Sequence, residues 1–564
     1  MNPIGKPVKL TADFKKLSIL GIIGLAVFLL LQVLLPVLAS LSQNQPGEAI
    51  SKQKAVERAE GFAKSVLGFK ESAGGMPAPA YEAHSELYGY LSKEQLIPEY
   101  NRKWGGKYPY EFYRVSLPDP AQDRTVMVDV GLQTGKPAGF IIQNGDGFYN
   151  NTEALPDGET RSGLLRAYEE GMPLADKKAL AAPLLKQMGY NTENLTAETR
   201  EGEPGLTYSD EGSKIGDAML QVRLTFENGG VRSLESSFAV PSSHTEYVDQ
   251  QTKLANLLYY IGYMLFSFVL GVLAVVYSSL TRRHTSFTRG IILSFVYFAI
   301  SVLTLLNMMP YLQAQSANSD ILIFGIGLQI IFNLMMGVII YFSFVGGNGL
   351  WKTAGLNPWP RAKEPGYGVY VLRSMGAGYV WAFILLGVQS VIFVILNLLI
   401  GSWSTIDETQ SPYNMTYAWL LPIMAWMAGI GEEALYRLFG IPMLRKIVRS
   451  TLAASALSSL IWAFGHTLYP IYPVITRPIE LLFLGLLFSF IFLKYGFITA
   501  MFSHVIFDSI LMGISLMSMG DVVNIAVGAI GMVLPAVVGY VVYLFNPTKK
   551  EKPFITTPHP EGQL

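Results

Sequence analysis

Five polar groups recur inside apolar segments between Gly431 and Asp508: Glu432-Glu433, Arg437, His466, His504 and Asp508. Ionisable residues within membrane helices are costly to insert and by default mark a functional site. In "GIGEEALYRLFG" residues four apart share a helix face, which sets Glu433 beneath Arg437, lets the two neutralise each other, and leaves Glu432 without a local partner. A carboxylate in a low-dielectric interior holds its proton more tightly than in water, and it serves as a general base toward water when another group orients it. His466, which shares a face with Trp462 at the end of "LIWAFGHTLYP", can supply that second group. In "TAMFSHVIFDSILMG" His504 and Asp508 are again four apart. The carboxylate can fix the imidazole's tautomer while the imidazole donates to a developing oxyanion.

Each feature also has a plainer reading. Glu433 with Arg437 is by itself a structural ion pair, His466 a satisfied buried histidine, and His504 with Asp508 a helix–helix hydrogen bond. Taken jointly, three successive apolar segments that each carry an acid or imidazole are poorly explained by packing alone. Glu480 and Lys494, at the two ends of one apolar run, are expected to snorkel to the interface.

The elements that must position these groups are apolar runs. Hydrophobic residues make up 51% of the 564-residue chain and charged ones only 15%, the composition of a polytopic membrane protein. Runs of spanning length fall at 17–43, 254–280, 289–312, 321–346, 374–402, 416–443, 451–470, 478–494, 497–518 and 521–545, so the expected fold is mainly α, a bundle of about ten transmembrane helices. The first run is too long and apolar for a removed signal peptide and reads as an anchor. Basic residues cluster before the first run (Lys6, Lys9, Lys15, Lys16), after alternate later ones (Arg282, Arg283; Lys352, Arg361; Arg445, Lys446) and in the tail (Lys549, Lys550). By the positive-inside rule both termini are cytoplasmic, with Arg477 the exception. Lysine plus arginine equals aspartate plus glutamate at 42 each, so a nucleic-acid partner is not expected. The absence of cysteine excludes disulfides, thiolate metal sites and cysteine nucleophiles.

This reading divides the chain into a cytoplasmic N-terminus (1–16), an anchor helix (17–43), an extracytoplasmic α+β domain (44–250) inserted between the first and second helices, scaffold helices (254–373), a catalytic bundle (374–545) and a cytoplasmic tail (546–564). The inserted domain repeats a helix-like run (Ser51–Leu67; Ala175–Met188) followed by a hairpin-like pair (Thr125–Ile142; Met219–Val240). This order resembles PepSY-type extracytoplasmic modules.

Glu432-Glu433-x-x-x-Arg437, then Trp462-x-x-x-His466, then His504-x-x-x-Asp508, in that order on successive segments, resembles the CPBP family, also called the CAAX protease or Abi family. Its members are glutamic-type intramembrane proteases, often labelled metalloproteases, related to the type II CAAX prenyl endopeptidase. The resemblance covers about residues 375–545. It implies a peptidase in which Glu432 and His466 activate water, His504 and Asp508 bind the oxyanion or orient substrate, and Glu433 and Arg437 hold the helix. Trp462 stands where phenylalanine is usual and still supplies an aromatic wall. Asp508 stands where asparagine is common in the prenyl endopeptidase. A carboxylate donates no hydrogen bond unless protonated, which favours Asp508 orienting His504.

The expected function is hydrolysis of membrane-associated protein or peptide substrates within the lipid bilayer of a bacterial cell, without a cofactor. Glu432, His466 and His504 also match in type a zinc or other divalent-metal set, though no H-E-x-x-H accompanies them. Two other function classes stand beside the protease. One is a proton-coupled transporter or receptor with an outer ligand-binding domain, against which the spans show no evident inverted repeat. The other is a non-catalytic bacteriocin-immunity or scaffold protein.

Overall fold

Alternating apolar and polar residues build the N-terminal sheet domain, and continuous apolar runs build the rest. The computed structural model describes residues 14–42, 47–69, 76–119, 124–144, 173–198, 205–227, 230–315 and 319–546. After α1 (Phe14–Leu38) comes α2 (Lys52–Val66), capped by the Ser51 hydroxyl, which accepts from the Lys54 N–H. Then follow β1 (Ala78–Ala83), α3 (Ser85–Lys93), β2 (Glu111–Asp119), β3 (Arg124–Gly131) and β4 (Pro137–Asn144). α4 (Leu174–Gln187) leads to β5 (Leu195–Glu198), β6 (Gly205–Ile215), β7 (Ala218–Glu227) and β8 (Gly230–Ala239).

The two sets of four strands join edge to edge in the order β1-β2-β3-β4-β8-β7-β6-β5, with Phe140 opposite Leu234 at the seam. Inward-facing Val115, Val126, Val128 and Val222 are fully buried in one core with Ala59 of α2 and Ala181 of α4. The two expected hairpins are β3/β4 and β7/β8. Gly135 supplies the positive φ of the first turn. The Asn228-Gly229 turn of the second lies outside the described residues, as do Lys6, Lys9 and the tail lysines.

Beyond the sheet, α5 (Ser242–Leu280) is followed by α6 (Ile291–Asn307) and α7 (Met309–Gln315), which meet at a 54° bend, then by α8 (Asp320–Thr353) and α9 (Tyr367–Ile400). The run at 416–443 is broken into tight turns over Ala418–Ile423, α10 (Met424–Glu432), wider π turns over Glu433–Gly440, and α11 (Ile441–Val448). α12 (Thr451–Phe464) has 14 residues. α13 (Thr476–Tyr495), α14 (Phe497–Met517) and α15 (Val522–Phe545) complete the bundle.

Among the described residues, seven helices (α1, α5, α8, α9, α13, α14, α15) are long and apolar enough to cross a membrane, or eight if the bent pair is one span. The chain is therefore a mostly helical, multi-pass membrane protein with a sheet-rich N-terminal domain. Three of the ten expected runs depart from straight spans. Pro310, Pro422 and Pro442 each remove a backbone donor inside such a run, and α12 rises only about 21 Å against a hydrocarbon core of about 30 Å.

Glu480 does not snorkel. It is fully buried, accepting from Gln389 Nε2 of α9 at 2.7 Å and pairing with Arg477 at 2.5 Å. The Arg477 charge that breaks the positive-inside pattern is thus neutralised locally.

Candidate active site

The π turns over Glu433–Gly440 follow from local sequence. Pro442 cannot donate to the carbonyl four residues earlier, so Leu438 O is left without its helical partner. Trp351 Nε1 of α8 donates to it at 2.9 Å, and Ser458 of α12 donates to Tyr436 O at 2.5 Å. π segments are rare and concentrate at functional sites. A side chain at Gly429 would meet Val505 Cγ2 at 2.5 Å and the Met501 carbonyl at 3.1 Å. Glycine there lets α10 lie directly on α14, which brings Glu432 and Glu433 to His504.

Glu433 and Arg437 are both fully buried, with Arg437 Nη1 3.1 Å from Glu433 Oε1. The guanidinium lies 4.4 Å from the Trp462 ring and 5.3 Å from the Phe488 ring, so cation–π attraction supplements the ion pair. Glu433 Oε1 also accepts from His504 Nδ1 at 2.9 Å. This fixes the tautomer: Nδ1 carries a proton, and Nε2 faces the open side of the site.

On that side Glu432 Oε2 lies 3.6 Å and Asp508 Oδ2 3.5 Å from Nε2. Phe488 stacks on the imidazole at 4.5 Å and 24°. Trp462 Nε1 donates to Glu432 Oε2, aiming the carboxylate. Glu432 keeps 27% of its side chain accessible and Asp508 18%, against 4% for His504, so the two carboxylates border a space that water can enter.

Residues 414–510 match the family model of the type II CAAX prenyl endopeptidase Rce1-like proteins. This region is similar to that family. It contains Glu432, His466, His504 and Asp508 and is shorter than the 375–545 stretch expected from the motifs. The chain is also 24% identical, over 408 residues, to the sporulation-killing factor biosynthesis protein SkfC of Bacillus subtilis (strain 168), covering 69% of this chain and 79% of SkfC. Among solved structures, the Bacillus megaterium YpeB C-terminal domain aligns at 13% identity with a TM-score of 0.18, over 36% of this chain and 75% of that domain.

Within the Rce1-like region the structure brings together Glu432, Glu433, Arg437, Trp462, His504 and Asp508. His466 joins through rings: it lies 5.3 Å from Trp462 and stacks on Tyr469 at 5.7 Å. Its Nδ1 is 3.1 Å from the Trp462 carbonyl. A carbonyl only accepts, so Nδ1 is the protonated nitrogen and Nε2 holds a free lone pair.

Two expectations change in this geometry. The carboxylate that fixes the His504 tautomer is Glu433, because the π turns rotate it under Nδ1, and Asp508 stands on the opposite ring nitrogen. Trp462 is more than an aromatic wall, since its N–H holds Glu432. Among the described residues no three His, Asp or Glu side chains form a group that could hold a metal ion.

Sequence reasoning missed Phe488, Tyr469 and Trp351. Phe488 was detectable in principle, because Glu480, Leu484 and Phe488 recur every fourth residue on one buried face. Outside the Rce1-like region, α5, α6 and α8 enclose a cavity of about 800 Å³ lined by Tyr263, Tyr297, Ser301, Gln329 and Asn333. Tyr297 packs directly on Gly431, beside Glu432.

Proposed function

We propose that the protein is an intramembrane endopeptidase that hydrolyses peptide bonds of membrane-associated substrates with water activated by Glu432. The carrying observation is the placement of the partly accessible Glu432 carboxylate 3.6 Å from an imidazole nitrogen whose partner nitrogen is anchored on a fully buried carboxylate. Water between Glu432 and the scissile carbonyl gives its proton to Glu432 and its oxygen to the carbonyl carbon. The His466 Nε2 lone pair orients that water. In its imidazolium form His504 donates through Nε2 to the oxyanion, with Asp508 beside it to balance the charge. Glu432 then returns the proton to the leaving amine.

No cofactor takes part in this reading. The metal-free route is part of the proposal, and cleavage with and without a chelator tests it. The Rce1-like match supports the peptidase class. SkfC is named for biosynthesis of a killing factor, which favours processing over immunity. In the same reading both termini are cytoplasmic, the broken segments complete about ten crossings, and the sheet domain faces outward, where it contacts substrate or partners.

The test is incubation of purified protein in liposomes with a library of membrane-spanning peptides, with products identified by mass spectrometry. Defined cleavage within or beside the apolar span supports the reading. Intact peptides alongside proton-coupled uptake would replace it with a transporter.

A further inference from the structure

The sheet domain does not float free of the membrane helices. Asn414, in the loop between α9 and α10, accepts from Tyr81 N at 2.8 Å and donates to Tyr81 O at 2.9 Å, as a neighbouring strand would. Glu408 accepts from Ala83 N at 2.8 Å. The loop is thereby fixed along the edge of β1, and Gln410 within it accepts from the Tyr469 hydroxyl at 3.1 Å.

A cavity of about 360 Å³ opens at this junction, lined by Tyr81, Glu111, Asp407, Gln410, Tyr469 and Ser515, among others. Two features connect it to the catalytic groups. Tyr469 is both a wall of the cavity and the ring stacked on His466. On α14, Asp508, Met512 and Ser515 recur at helical spacing, and Ser518 and Met519 follow in the turn after the helix, so one face runs from the site to the cavity. At 1.5 Å per residue, Ser515 lies about 10 Å along the helix from Asp508, and the turn that holds Met519 extends further in the same direction. An extended peptide covers that distance in about three to five residues.

The cavity has a sign. Glu111 and Asp407 line it, and none of its lining residues is basic. Glu111 accepts from Tyr81 Oη at 2.7 Å and Gln133 Nε2 at 3.3 Å, and Asp407 accepts from Thr409 N at 3.0 Å. These donors are neutral. They orient the carboxylates and leave their charge uncompensated, and neither carboxylate forms an ion pair among the described residues.

We propose that this cavity binds a lysine or arginine in the polar segment of the substrate peptide, about three to five residues from the scissile bond. Its placement relative to the bond rests on the protease reading, whereas the basic preference rests on the cavity alone. A bound cation offsets part of the charge of Glu111 and Asp407, and its peptide backbone runs past Tyr469 toward His504.

The test measures binding first, so that it does not depend on cleavage. Full-length Glu432→Gln protein in nanodiscs is titrated with fluorescent membrane-spanning peptides whose polar flank carries two lysines, two serines or two glutamates. The lysine peptide is expected to bind about tenfold more tightly than the serine peptide at low salt, the advantage of two partly exposed ion pairs. That advantage should shrink at high salt and vanish in the Glu111→Gln/Asp407→Asn variant. Asp407→Asn alone, in a surface loop, should remove part of it. Equal affinities for the three flanks, a lysine preference unchanged by either variant, or no binding of any peptide overturns the proposal. Cleavage of the same peptides by wild-type protein is scored separately: lysine-selective binding without cleavage refutes the protease reading and leaves the basic subsite standing.

Discussion

Glu433→Gln isolates the electrostatic support of the site. The substitution is nearly isosteric and keeps an oxygen within reach of His504 Nδ1. It also leaves the Arg437 guanidinium fully buried beside a neutral amide. None of the three Arg437 nitrogens has a hydrogen-bond partner among the described residues, so the Glu433 charge and the Trp462 and Phe488 rings are its compensation. Removing one member of a buried ion pair costs about 3–5 kcal/mol, and the two rings retain about 2 kcal/mol of attraction. The expected loss is near the lower end, about 3 kcal/mol. It is read from unfolding free energies in bicelles for wild type, Glu433→Gln, Arg437→Met and the double variant. The double variant removes both charges and should recover most of the loss, giving a coupling energy of about 2–3 kcal/mol. Its activity should stay low, because the imidazole is then anchored by an amide. A Glu433→Gln protein within about 0.5 kcal/mol of wild type would refute the reasoning, since the pair would then not be the support that burial implies.

Three further outcomes follow from the same geometry. Trp462→Phe removes the N–H that holds Glu432; since a hydrogen bond to a charged group contributes about 1.5–3 kcal/mol, kcat should fall about 10- to 100-fold with little change in thermal stability. Tyr469→Phe keeps the stack on His466 and loses the Gln410 contact, whereas Tyr469→Leu loses both; kcat should survive in the first and fall about tenfold in the second. Burial pushes the Glu82 carboxyl up to about 7 from its ordinary 4.5, against the opposing pull of Arg114 at 2.8 Å. A raised carboxyl contributes stability that is full below about 4.5 and is lost as pH rises through about 7, so hydrogen exchange in β1 and β2 should quicken between pH 5 and 8, and Glu82→Gln should flatten that dependence.

Charge placed in apolar sequence made Glu432, Glu433, Arg437, His466, His504 and Asp508 visible before any fold, because lipid gives such residues no neutral reason to exist. Strand alternation did the same for β3/β4 and β7/β8. What stayed hidden depended on long-range contacts. Glu433 and His504 are separated by 71 positions, and no spacing rule predicts which carboxylate reaches which ring nitrogen once the helix widens into π turns. Glu480 looked interfacial because its partner Gln389 lies on another helix, 91 positions away. Three apolar runs read as straight spans because hydropathy averages over the prolines that break two of them and does not register that the third, α12, ends at Phe464. The loop fixed to β1 by Glu408 and Asn414 carries no pattern of its own; those side chains acquire meaning only from the strand edge they satisfy.

The most direct test of the central claim compares wild type, Glu432→Gln and Glu433→Gln for cleavage of one membrane peptide in liposomes, each with and without a chelator. Cleavage by wild type that survives chelation and is abolished in Glu432→Gln, with Glu433→Gln reduced beyond what its lost stability accounts for because an amide then anchors the imidazole, is the predicted result. Full cleavage by Glu432→Gln, or loss on chelation that added zinc restores, would contradict a reaction driven by the Glu432 carboxylate.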